Sequence, residues 1–220
     1  MNKPQLLKLE DCEIAYGPAA VFKNLNLNIG PGEQVALLGE SGSGKTTLLR
    51  HLYAVLKPQG VAVVPQDFAL VDNLSVFHNV YSGQLQNHST IANLRNLVFP
   101  AAAEKTKVEC LLSELQLEQK LLTPVAQLSG GQKQRTAVAR AIYAGHTILL
   151  ADEPVSAVDE NQAELVLRLL LDAHETSVFA MHDVELALKF ASRIIGLRDG
   201  EVMIDQQVAE LRSDELSALY

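Results

Sequence analysis

The run Gly39-Glu40-Ser41-Gly42-Ser43-Gly44-Lys45-Thr46 most constrains what this chain of 220 residues can fold into. It fits the pattern Gly-x-x-x-x-Gly-Lys-Thr. An apolar, strand-like run at 34–38 precedes it, and a helix-like run at 46–56 follows. That context marks a loop built to hold phosphate rather than an ordinary glycine-rich turn. Glycines let the backbone curl until successive N–H groups aim at one anion. The helix that follows adds the positive end of its dipole. In such a loop Lys45 reaches the β- and γ-phosphates and the Thr46 hydroxyl ligates Mg²⁺.

A strand–loop–helix of this kind sits at the edge of a parallel sheet, and the rest of the chain reads accordingly. Short buried-strand runs lie at 148–151, 178–181 and 194–197, with helical periodicity at 161–172 and 184–190 between them. Strands alternating with helices predict an α/β fold with a mainly parallel sheet. Residues 6–16 and 25–29 alternate apolar and polar side chains, which predicts an antiparallel piece beside it. A β-branched run lies at 61–64. The stretch 67–114 reads mostly helical, interrupted near 83–89 and at Pro100.

Composition excludes some classes. Net charge is −8, which disfavours duplex nucleic acid as the main partner. No apolar run approaches the 18 residues that a spanning helix needs, and no signal peptide is expected at 1–10. Cys12 and Cys110 have no metal-ligand spacing. A disulfide stays open, with reduced thiols in a cytosolic protein as the default.

Asp152 and Glu153 end the run at 148–151. Carboxylates there face the ligand edge of a parallel sheet. Asp152 suits Mg²⁺, and Glu153 suits a base for the water that attacks a γ-phosphate. His182 follows another buried run. It could touch the γ-phosphate or that water, although a lone histidine is more often structural. Gln66 has no charge and cannot be a base, but its amide can ligate a metal or orient water.

Leu128-Ser129-Gly130-Gly131-Gln132 places a second glycine pair at a helix start, here expected from Gln132. With it the chain resembles the ATP-binding subunit of ABC (ATP-binding cassette) transporters along nearly its whole length. Residues 39–46 are similar to the family's Walker A, with Thr47 adjoining. Gln66 matches its Q-loop, 128–132 its signature and 148–153 its Walker B. Ser156-Ala157-Val158-Asp159 resembles the D-loop, with Val158 where leucine is usual. His182 matches the switch histidine. Tyr16 stands 23 residues before Gly39, where the family stacks an aromatic on adenine.

The resemblance implies a P-loop NTPase of the ABC ATPase type, a single domain over 1–220. Its nucleotide-binding core would take 1–66 and 146–220, and a helical subdomain 67–145. It implies ATP and Mg²⁺, with catalytic roles for Lys45, Gln66, Glu153 and His182. Tyr16, residues 39–47 and the set Ser129, Gly130, Gly131 and Gln132 would contact nucleotide. Thr46, Gln66 and Asp152 would hold the metal. It further implies a second ATPase subunit, in a homodimer, whose signature completes the site, integral-membrane permease subunits and, indirectly, a solute-binding protein. The location implied is peripheral, on the cytoplasmic face of the inner membrane. The groove near Gln66 and residues 67–83 would dock the permease, with Leu70, Val71, Leu74, Val76 and Phe77 serving either docking or packing.

Segments 68–83 and 182–200, and the tail 214–220, look like those of phosphonate importer ATPases. A membrane-associated cell-division or regulatory cassette is the alternative, since the motifs are shared. One departure stands out. Only 20 residues separate Lys45 from Gln66, so the antiparallel β-subdomain is expected to be trimmed.

Overall fold

A computed structural model describes residues 5–17, 19–211 and 216, with only the backbone of Tyr16. Two strands, β1 (Leu7–Tyr16) and β2 (Ala19–Ile29), pair antiparallel. The sequence marked only the last five residues of β2. Its first half buries just Phe22 and so lacks alternation.

The main sheet has six strands in the order β4-β5-β6-β3-β7-β8. These are β3 (Gln34–Leu38), β4 (Val61–Val64), β5 (Ile148–Asp152), β6 (Thr176–Ala180), β7 (Arg193–Arg198) and β8 (Glu201–Gln207). The first five run parallel, and β8 returns antiparallel to β7. The expected mainly parallel sheet is therefore present. β8 is an addition that the sequence did not announce, because only Ile204 of its seven residues is buried.

Helix α1 (Lys45–Leu56) leaves the phosphate loop and buries Leu48, Leu49, Leu52 and Leu56 between the two sheets. Each such leucine contributes about 1.5–3 kcal/mol by leaving water. After α1 the chain makes one tight turn through Pro58, crosses Gly60 and enters β4. Among the described residues the antiparallel sheet has two strands, β1 and β2.

Residues 67–75 form turns instead of the expected helix. The first helix beyond Gln66 is α2 (Val76–Tyr81), capped by Ser75. The turn is held from afar. Asn79 accepts from the Val71 N–H at 2.8 Å, and Arg140 donates to the Phe68 carbonyl at 2.7 Å. Then follow α3 (Thr90–Val98), α4 (Ala102–Glu114) and α5 (Gly130–Ala144). α6 (Glu160–Asp172) and α7 (Val184–Phe190) complete the layer against the sheet.

Helix α3 is packed with its polar side inward. Asn96 is buried and accepts from the Ala101 N–H at 2.7 Å, while Asn93 accepts from the Tyr81 hydroxyl at 2.9 Å. Ile91, Leu94 and Val98 are exposed by 83%, 66% and 63%, so the apolar stripe faces out. By contrast Val76 and Phe77 are fully buried, which makes them packing residues and removes them from any docking surface.

Candidate active site

Strand register places the site. Val64 of β4 lies beside Ala151 of β5; Asp152 lies beside Ala180 of β6; Ala180 lies beside Leu37 of β3. Gln66, Glu153, His182 and Gly39 each follow these residues by one or two positions. Four consecutive strands of the sheet thus deliver their next residues to one carboxyl edge, where ligands bind in parallel sheets.

At that edge the phosphate loop curls into α1. Gly44 caps the helix with φ 107°, a left-handed backbone that favours glycine. A Cβ there would also stand 2.7 Å from the Phe22 ring. Lys45 is buried, and its Nζ donates to the carbonyls of Gly39 at 2.6 Å and Glu40 at 2.9 Å. Burial pushes its pKa down, and the carboxylates of Glu153 and Asp152 oppose that shift. The loop thus keeps a cation at its centre, held by groups that an anion can replace.

The Thr46 hydroxyl donates to Oδ2 of Asp152 at 2.7 Å. Burial raises the Asp152 pKa, the Thr46 hydrogen bond lowers it, and neighbouring Glu153 raises it again. Thr46, Asp152 and Gln66 line one pocket. These hard oxygen donors fit Mg²⁺, which takes one or two protein ligands and fills its octahedron with water and phosphate oxygens. No group of three His, Cys, Asp or Glu that could hold a metal occurs among the described residues.

Glu153 has φ 52°, a left-handed backbone that costs a non-glycine residue energy and clusters at functional sites. Its N–H donates to the Ala180 carbonyl at 3.0 Å, which turns the carboxylate away from β5 and toward β6. There Oε1 stands 2.9 Å from Nε2 of His182. Ser41, Gly42, Gly44, Lys45, Thr46, Thr47, Gln66, Glu153 and His182 line a single cleft of about 320 Å³.

Of the residues singled out in the sequence, Gly39 and Glu40 support this cleft through their carbonyls. Ser43 is buried behind it. Ser129, Gly130, Gly131 and Gln132 are not among its lining residues. Ser129 instead caps α5, which begins at Gly130, two residues before the expected start. The Ser129 side chain accepts from the Gln132 N–H at 3.3 Å, and Oε1 of Gln132 accepts from the Ser129 N–H at 3.0 Å. This capping box fixes the first turn. The Tyr16 side chain, and tail positions 214, 215 and 217–220, lie outside the described residues. Sequence reasoning missed Gln134. It is 1% exposed, and its amide binds the backbone on both sides of the loop after Glu153.

A profile described as ABC transporter matches residues 22–156, more than half of the chain. The chain belongs to the ABC transporter family. As an ATP-binding cassette of that family it is an ATPase. It is 36% identical to the phosphonates import ATP-binding protein PhnC 1 of Pseudomonas savastanoi pv. phaseolicola, over 97% of this chain and 91% of that one. That alignment runs to 243 positions against 220 residues here, so the relative carries residues with no counterpart in this chain. Identity to the phosphite import ATP-binding protein PxtA of Stutzerimonas stutzeri is 32%, covering 98% of this chain and 87% of that one. Among solved structures, the dimeric post-hydrolysis state of the ATP-binding cassette MJ0796 bound to ADP and Pi superposes with a TM-score of 0.75. It is 29% identical, covering 91% of this chain and 98% of that one.

Proposed function

We propose that this cassette hydrolyses MgATP to power import of phosphonate or a related oxyanion, as one of two ATPase subunits docked on a membrane permease. The observation that carries the reading is the convergence of Lys45, Thr46, Glu153 and His182 on one cleft at the sheet's carboxyl edge, with Asp152 in the adjoining pocket that shares Thr46 and Gln66. Relatives named for phosphonate and phosphite import supply the solute class.

In this reading Lys45 exchanges the carbonyls of Gly39 and Glu40 for β- and γ-phosphate oxygens. Thr46 and Asp152, with Gln66 beside them, hold Mg²⁺, which neutralises phosphate charge. Glu153 accepts a proton from the attacking water while the bond from the γ-phosphorus to the β–γ bridging oxygen breaks. The products are ADP and phosphate. His182 holds the Glu153 carboxylate in place and faces the same cleft. Tyr16 stacks on adenine. Residues 1–66 and 146–220 act as the nucleotide-binding core, and 67–145 as the helical subdomain.

Ser129 and the N–H groups of Gly130 and Gly131 open a helix of 15 residues, a ready anion site. They do not line their own chain's cleft, so the nucleotide they serve is that of a second copy. The dimeric cassette with a similar fold supports this sandwich. Losing the γ-phosphate then opens the dimer.

The permease contact keeps the groove near Gln66 and residues 67–83, without buried Val76 and Phe77, and adds the neighbouring apolar surface of α3. Val71 is 55% exposed, and Phe99 is exposed beside the α3 stripe. No acidic side chain occurs from 73 to 103, in a chain of net charge −8. A contiguous exposed apolar patch marks an interaction site. Among the described residues no helix is long and apolar enough to cross a membrane, so anchoring would come from such a contact. The reading places the protein peripherally, on the cytoplasmic face of the inner membrane, with a solute-binding protein acting at a distance.

A tagged pull-down from detergent-solubilised native membranes tests this. Recovery of a multi-span permease, weakened by Leu94→Asp, is the expected result. Recovery of a division or regulatory complex in its place would remove the transport reading and keep the ATPase.

A further inference from the structure

The buried amide of Gln134 joins two parts of the chain that the proposed dimer assigns to different nucleotides. Gln134 lies on α5, just over one turn beyond Ser129. Its Nε2 donates to the Glu153 carbonyl at 2.7 Å, and its Oε1 accepts from the Ala157 N–H at 2.7 Å. One side chain therefore spans the loop that follows the left-handed Glu153. The Ser156 N–H and hydroxyl also reach the Glu153 carbonyl, at 3.3 and 3.2 Å, so that oxygen is the anchor of the whole turn.

The backbone closes the same contact from the other direction. A Cβ on Gly131 would stand 2.8 Å from the Ala157 carbonyl oxygen. Glycine at that position lets the first turn of α5 rest directly on the loop that Gln134 clamps. The capping box holds Ser129 and Gln132 to this turn, so α5's N-terminus and the Glu153 loop form one packed unit.

We propose that Gln134 is a positioning residue that couples the Ser129 anion site, serving the partner's nucleotide, to the Glu153 carboxylate, serving the chain's own. The coupling rests on the dimer reading above. Phosphate that seats on Ser129, Gly130 and Gly131 fixes the first turn of α5. Gln134 and Gly131 carry that constraint to the backbone around Glu153, whose turn aims the carboxylate beside His182. Each hydrolytic group is then held best when the opposite site is filled. Gln134 touches no nucleotide itself: it is not among the residues lining the cleft.

Four variants test it. Gln134→Met keeps length and removes both hydrogen bonds. A displacement of about 1 Å at a catalytic group costs on the order of 10²-fold. The expected result is a loss of that size in kcat, with nucleotide affinity at Lys45 unchanged. Gln134→Glu keeps the acceptor for the Ala157 N–H and loses the donor to Glu153, so it should fall between Met and wild type; it also serves if the Met variant fails to fold. Coupling to the partner's site is read from a double-mutant cycle with Ser129→Ala. Linked residues give a double variant little slower than the worse single one. Effects that multiply, or an unchanged kcat in Gln134→Met, would overturn the proposal. Light scattering of Glu153→Gln with MgATP separates the two failures. A monomer there would remove the dimer reading itself, whereas a dimer combined with multiplying effects would remove only the role of Gln134.

Discussion

Nε2 of His182 lies 2.9 Å from Oε1 of Glu153, across the gap between the ends of β6 and β5. An imidazole protonated at Nε2 donates to the carboxylate and fixes its direction. Glu153 is mostly buried and His182 about half exposed, so the pair presents one polar face to the cleft. Glu153→Gln retains the shape and the hydrogen bond but cannot accept a proton. Phosphate release should fall by on the order of 10²–10³, with ATP binding intact and an ATP-dependent dimer by light scattering. His182→Ala should lower kcat more than it raises KM, because the carboxylate loses its guide while the phosphate loop is untouched.

Lys45→Ala removes the cation at the centre of the loop. The carbonyls of Gly39 and Glu40 lose their donor, and the phosphates lose their counter-charge. Nucleotide binding measured by calorimetry should nearly vanish. Full ATPase activity in a clean preparation would refute the role given to the loop.

Ser129→Arg should separate binding from turnover. Ser129 lies outside the cleft of its own chain, so nucleotide affinity of the isolated cassette should be unchanged. Bulk and charge in the first turn of α5 would spoil the partner's site, and steady-state turnover should drop by at least tenfold, about 1.4 kcal/mol or more. The lost cap also costs about 1 kcal/mol of stability, visible as a small fall in Tm.

What the sequence disclosed and what it withheld follow from the range of the forces involved. The phosphate loop is local: its glycines and the flanking strand and helix are contiguous. The buried strands are local too, since continuous apolar runs at 148–151 and 178–181 mark β5 and β6. Asp152 and Glu153 were legible because they interrupt such a run at its end. Gln134 was not, because a glutamine on a helix reads as solvent-facing, and its two partners lie about twenty residues further along. The orientation of α3 was hidden for a related reason. Periodicity locates an apolar face but says nothing of what covers it, and here the asparagines face inward because Tyr81 and the Ala101 N–H meet them. The turns at 67–75 resembled a helix because the clamps that forbid one, Asn79 and Arg140, lie outside the segment.

The last expectation concerns stability against pH and involves no group at the cleft. His174 follows α6, and burial lowers its pKa below the ordinary 6.5. The backbone at Leu170, and to a lesser extent that at Ala141, opposes that shift without cancelling it. Nδ1 lies 2.6 Å from the Leu170 carbonyl and donates to it, while Nε2 is buried without a partner. The second proton would therefore place a charge on an unsolvated nitrogen. The unfolded chain takes up that proton more readily than the fold, so stability rises with pH wherever the two differ. The neutral-form advantage is complete above about pH 6.5 and is lost as pH falls through that value toward the lowered one. Tm should thus decline between neutral and mildly acidic pH. His174→Gln, which keeps a donor and cannot take a proton in this range, should lower Tm at neutral pH and flatten the decline. An equal slope in wild type and variant would assign the acid sensitivity to other groups.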